Sequence, residues 1–176
     1  MVCQYLRMNN SGSVTTLGFY NAINKSTVAG TIATQLNTYL GLDSANGYAY
    51  HSLSAGGTSL DNFHDLLIRS LMANRPALIQ IVVDSSDKSI FGYTSGGHYI
   101  LVTGIEEKSD GVYAIINDPY NGGYKNDDAS THTGQILTMK LSDLRRICVN
   151  KFKQDSGNWG AVIVDEQAYK NYIAAK

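Results

Sequence analysis

Residues 98–118 read HYILVTGIEEKSDGVYAIIND. Two apolar runs rich in β-branched residues, His98 to Ile105 and Gly111 to Asn117, flank the polar stretch Glu106 to Asp110. That pattern predicts an antiparallel β-hairpin. If residues 105 and 111 close the turn, Ile100 faces Ile116, Val102 faces Ala114, and His98 lies directly across from Asp118. Opposed residues of such a pair have Cβ atoms about 4.5–5.5 Å apart, close enough for a carboxyl to hold an imidazole. A His–carboxylate pair at the open end of an apolar ribbon is how a hydrolase orients a general base.

Outward from the hairpin, Ala77 to Val83 (ALIQIVV) suits a strand buried on both faces. Between it and His98, Asp84 to Gly97 is a long polar loop, and Pro119 to Thr133 is another beyond Asp118. Long polar loops of this kind are often functional. The glycines Gly96 and Gly97 permit positive φ and close approach to a ligand. The two loops read either as the rims of a substrate groove, carrying Gly96, Gly97 and Tyr120, or as flexible connectors.

Upstream, Val28, Ile32, Leu36 and Leu40 recur every fourth residue, with Ser26 or Thr27 as cap and Gly41 as stop, which predicts a helix. Asp43 to Gly57 is a loop or a short strand around Tyr48 to Ser52. Another helix has Thr58 or Ser59 as cap, Asp61 in its first turn, and Leu60, Phe63, Leu67 and Leu71 on one face. It ends at Asn74-Arg75-Pro76, because proline pushes the residue before it out of helical geometry.

Met1 to Met8 (MVCQYLRM) has helical spacing but begins without a cap. Downstream, Leu137 to Leu141 predicts a strand, Ser142 to Val149 a short helix capped by Ser142, and Trp159 to Val164 a closing strand. Glu166 to Ala175 predicts a terminal helix. Helices first and antiparallel strands afterwards argue for an α+β domain over 1–165, with 166–176 as a C-terminal helix or tail.

The 176 residues suit one domain with a sizeable core. Charged residues make up 16% of the chain and the net charge is −1, with no basic stripe to suit nucleic acid. No apolar run approaches the roughly 20 residues of a membrane span, and no export signal is visible at Met1. Cys3 and Cys148 make no disulfide framework, and the four histidines form no zinc-site spacing with them. Neither a metal nor a cofactor is expected.

Arg75-Pro76 with its strand, then GGHYILVTGI, then YAIINDPY, together resemble the bacterial double-glycine (bacteriocin) leader peptidases and their peptidase-like relatives. The general pattern of that group is a "grP" turn and strand, a "GHyvvvtG" strand and an "nDP" turn. The match is clearest over Val28 to Asn121. The resemblance implies a papain-like cysteine peptidase fold, with a helical lobe packed on an antiparallel sheet. It implies His98 as general base and Asp118 as its orienting partner, a peptide or protein substrate, and a place outside a bacterial cell or on its surface.

In that group the nucleophilic cysteine opens the first long helix in a Cys-Gly-Pro motif, where the helix N-terminus favours the thiolate. This chain has no Cys-Gly-Pro. MVCQYLRM resembles the later turns of that helix, which places the expected nucleophile about two helical turns before Met1. Cys3 is then a doubtful nucleophile in mid-helix and reads better as a buried helix cysteine, and Cys148 sits on the apolar side of a short helix with Leu144. His51 and His64 read as surface or loop histidines, and His132 has no visible partner.

Each site residue also has a plain structural reading. His98 serves equally as a strand-end histidine bonding a turn, and Asn-Asp-Pro initiates turns through side-chain to backbone bonds. Two functions therefore stand: a cysteine peptidase-like domain, and a catalytically inactive papain-like module that binds peptide or a protein partner. An acyltransferase on the same fold is a third.

Overall fold

The computed structural model describes residues 29–40, 51–54, 62–73, 75–119, 135–154, 160–163 and 174. The elements run α1 (Ala29–Leu40), β1 (His51–Ser54), α2 (Phe63–Met72), β2 (Ala77–Val83) and α3 (Lys88–Phe91). They continue with β3 (Ser95–Lys108), β4 (Gly111–Asp118), β5 (Gln135–Lys140), α4 (Leu141–Gln154) and β6 (Gly160–Ile163). The six strands form one sheet in the order β1-β6-β2-β3-β4-β5, and every pairing is antiparallel. Helices mixed with an antiparallel sheet make an α+β fold, as expected. The order is less tidy than the expected helices-then-strands. β1 precedes α2, α4 interrupts the strands, and the last strand inserts between β1 and β2.

Alternation along β2 separates two faces. Ala77, Ile79, Ile81 and Val83 are all buried, while Leu78, Gln80 and Val82 are half-buried. The first set pairs with Val102, Ile100 and Ala161 and joins Leu144, Ile147 and Cys148 of α4 in the main core. On the opposite face Leu101 and Val162, both partners of Leu78, are fully buried too. There α1 lies close: a Cβ at Gly160 would sit 3.5 Å from the Ala29 Cβ. Helix α1 buries Ile32 and Leu36 of the expected stripe, with Ala29 and Ala33 beside them, while Val28 lies outside the described residues.

The hairpin differs from the expected one. Lys108 pairs with Gly111, so only Ser109 and Asp110 form the turn, and Gly111 adopts φ 141° there. Glu106, Glu107 and Lys108 belong to β3 because the ribbon projects into solvent, where strands take polar residues. A bulge then lies between Val102 and Gly104, and beyond it Val102 faces Ile116. The expected Val102–Ala114 register is therefore two residues out. A slip of two keeps every side chain on its face, whereas a slip of one would invert them all.

Four other boundaries move. Helix α2 starts at Phe63 with Asn62 as N-cap, after the expected caps Thr58 and Ser59, which lie outside the described residues. The Asp84 to Gly97 loop contains α3, whose C-cap Gly92 takes φ 80°, and the first residues of β3. The expected short helix from Ser142 runs from Leu141 to Gln154, so Ser142 sits inside the first turn and is not the cap. It continues past Val149 and carries Lys151, which is only 6% exposed. Met1 to Met8 and the expected C-terminal helix fall outside the described residues, Ala174 excepted.

Candidate active site

His98 and Asp118 stand near the ends of neighbouring strands. His98 is paired with Ile81 on β2, while one step beyond the Leu101–Asn117 pair Asp118 comes opposite Ile100. His98 is thus the diagonal neighbour of Asp118 on the same face, a separation that long and aromatic side chains span. The His98 Nε2 lies 2.7 Å from Asp118 Oδ1. Asp118 is fully shielded from water, whereas the imidazole keeps 18% of its surface exposed. The buried group is the anchor and the half-buried one is the group that can meet a substrate.

The other carboxylate oxygen is held from two sides. The Tyr93 hydroxyl donates to Asp118 Oδ2 over 2.7 Å, and Gln135 Nε2 donates to the same atom over 3.1 Å. Gln135 Nε2 also donates to the Phe91 carbonyl at 2.9 Å, tying the end of α3 to the start of β5. Gln135 is the residue paired with Asp118 in the β4–β5 ladder. The Tyr93 ring meets the imidazole edge-on, with centroids 5.6 Å apart at 86°, and Phe91 meets Tyr93 in the same way at 5.8 Å. A buried carboxylate with all its partners in place avoids the cost of an unsatisfied buried charge.

The segment carrying Tyr93 is itself fastened to α4. Asp87, buried, accepts two hydrogen bonds from the Arg146 guanidinium, and Asn150 Nδ2 donates to Asp84 Oδ2 at 3.2 Å. The Asp87 carboxylate holds the Arg146 guanidinium above its usual range. Asp84 is held below the usual carboxylate range, first by the Ser86 hydroxyl and then by the Ser86 backbone N–H.

Among the expected site residues, His98 and Asp118 come together. Gly96 and Gly97 lie within β3, and Gly97 does not take positive φ. Its lack of a side chain serves a different purpose, since a Cβ there would stand 3.1 Å from Lys151 Nζ. Cys3, Tyr120 and His132 lie outside the described residues. Cys148 is fully buried on α4, as expected, and His64 is exposed on α2. No cluster of potential metal ligands exists among the described residues.

Tyr93 and Gln135 were not anticipated. The aromatic pair Phe91 and Tyr93 inside an otherwise polar loop was the available signal for the first. Nothing local marks Gln135, whose role comes from strand pairing.

With this geometry in view, the chain matches the Peptidase_C39 like family over residues 1–139. It belongs to the Peptidase_C39 like family. The matched span takes in His98, Asp118, Tyr93 and Gln135, while α4 and β6 lie beyond it. No curated protein and no solved structure matches the chain at a significant level. Family membership makes this a cysteine peptidase-like domain, and the His–Asp pair lies within the part that carries the membership.

Proposed function

We propose that this domain has a papain-like fold and hydrolyses peptide bonds with His98 as general base and Asp118 as the group that orients it. The observation that carries the reading is the 2.7 Å contact between His98 Nε2 and a carboxylate with no solvent exposure. With the Nε2 proton donated to Asp118, Nδ1 is the nitrogen that takes a proton from a thiol and returns it to the leaving amine. The thiolate attacks the peptide carbonyl, the amine departs with that proton, and water then releases the acyl group. Asp118 stabilises the imidazolium that forms between those steps. The substrate is a peptide or protein, met outside the cell or at its surface.

A second reading is a module that binds peptide without cleaving it. Its support is that Cys148, the one cysteine among the described residues, is fully buried in the core beneath α4 and offers no nucleophile to a substrate. The remaining cysteine, Cys3, is therefore the one to test.

The two readings separate by labelling with a cysteine-directed peptide chloromethyl ketone, followed by mass mapping, in the protein and its His98→Ala variant. Modification of Cys3 that requires His98, together with peptide hydrolysis lost in the variant, supports the enzyme. Saturable peptide binding with equal labelling in both proteins and no hydrolysis supports the module.

A further inference from the structure

We infer that Tyr93, assisted by Gln135, positions the His98 imidazole by fixing the orientation of the Asp118 carboxylate that holds it. The inference rests on His98 being the proposed base and adds the groups that decide which of its nitrogens meets the substrate. A carboxylate turns about its last torsion in a broad, two-fold well, so its plane is loosely set unless other contacts hold it. Here Oδ2 accepts from Tyr93 at 2.7 Å and from Gln135 at 3.1 Å, leaving Oδ1 toward His98 at 2.7 Å. Tyr93 also touches the imidazole itself, edge-on at 5.6 Å, so one side chain limits both the carboxylate's rotation and the ring's tilt.

Tyr93 is well placed to do this because its own position is determined. It is 7% exposed and follows Gly92, whose φ of 80° turns the chain sharply out of α3 and inward. Phe91 packs against its ring, and its carbonyl is held by Gln135. The consequence is a proton retained on Nε2, with Nδ1 exchanging protons at the reacting group. Tyr93 and Gln135 act through Asp118 and are positioning residues.

The test reads the imidazole without turnover. Proton NMR of the histidine-labelled protein resolves the ring N–H signals, and His98→Ala identifies the one that belongs to His98. Exchange of the His98 Nε2 proton with water is expected to rise about tenfold in Tyr93→Phe, the equivalent of one hydrogen bond to a charged group. Gln135→Met, which keeps the length and removes the donors, is expected to move it in the same direction. Should Tyr93→Phe not give folded protein by circular dichroism, Gln135→Met carries the comparison. An unchanged His98 signal in the folded variants overturns the inference. Altered exchange in these variants, with peptide hydrolysis indifferent to His98→Ala, would instead uphold the positioning and remove the proposed reaction.

Discussion

Arg146 on α4 grips Asp87 at the head of α3 through both terminal guanidinium nitrogens. The carboxylate is 1% exposed, whereas the arginine side chain is 41% exposed. The contact spans 59 positions of the chain and pins the segment that delivers Phe91 and Tyr93 to the site. Removing the cation alone would strand a buried anion. Arg146→Met is expected to destabilise the fold by about 2 kcal/mol, the scale of a hydrogen bond to a charged group. Urea denaturation measures it, and an unchanged midpoint would show that the clamp is dispensable.

His98 and Asp118 are expected to behave as one unit. If the chain hydrolyses peptides, each of His98→Ala and Asp118→Ala lowers kcat/KM by about 10²–10⁴-fold, the usual contribution of positioned acid–base groups. The double variant should be little worse than either single one, because a general base and its orienting partner are not additive. Steady-state kinetics on a peptide substrate decides, and multiplicative losses would mean the two residues act separately.

The hairpin turn makes stability sensitive to acid. The Tyr113 hydroxyl donates to Asp110 Oδ2 at 2.7 Å, and Lys140 Nζ lies 3.1 Å from the same carboxylate. These contacts, Tyr113 first, hold Asp110 below the ordinary 3.8. A depressed folded value means the unfolded chain takes up the proton first as pH falls. The stabilisation is therefore present above pH 3.8 and lost as pH falls through the lower folded value. Lys140, raised above 10.5 chiefly by Asp110, contributes below that pH and loses its contribution as pH climbs through its folded value. Tm curves for the wild-type protein and Asp110→Asn should be separated at pH 6 and converge below pH 3.8; parallel curves would refute the assignment.

Gly160 sits in a crowded place. A Cβ there would stand 3.0 Å from both Gln80 Oε1 and Tyr99 Oη, with Ala29 behind at 3.5 Å. Gly160→Ala is expected to cost about 1–2 kcal/mol through overpacking. Adding Gln80→Ala should return part of the loss by opening one side. A double variant no more stable than the single one would place the strain elsewhere.

Particular residues show why some of this was legible in the sequence. Ile32 and Leu36 announce their helix because burial selects apolar residues at the helical period, whereas Ile79 and Ile81 announce their strand as part of a continuous apolar, β-branched run. Pro76 keeps Arg75 out of helical geometry by local sterics, α2 ends before it at Met72, and the Ser70 hydroxyl closes the turn by donating to the Arg75 carbonyl at 2.8 Å. The hairpin turn is shorter than its sequence suggests, because Glu106 to Lys108 are polar like a loop yet belong to a strand that runs beyond the core. Asp118 was reached for an incomplete reason: the bulge near Thr103 and the shorter turn changed the register by two, and parity rescued the face.

Local periodicity and the His98 and Asp118 motifs were enough to determine the α+β class, the hairpin, and the face on which imidazole and carboxylate meet. Tertiary structure decided what surrounds them. Gln135 reaches Asp118 because β5 pairs with β4, Tyr93 because Asp87 is tied to α4, and β6 enters between β1 and β2. These are contacts between residues far apart in the chain, fixed by the joint packing of helices and sheet, and no repeat in the sequence encodes a partner at such a distance.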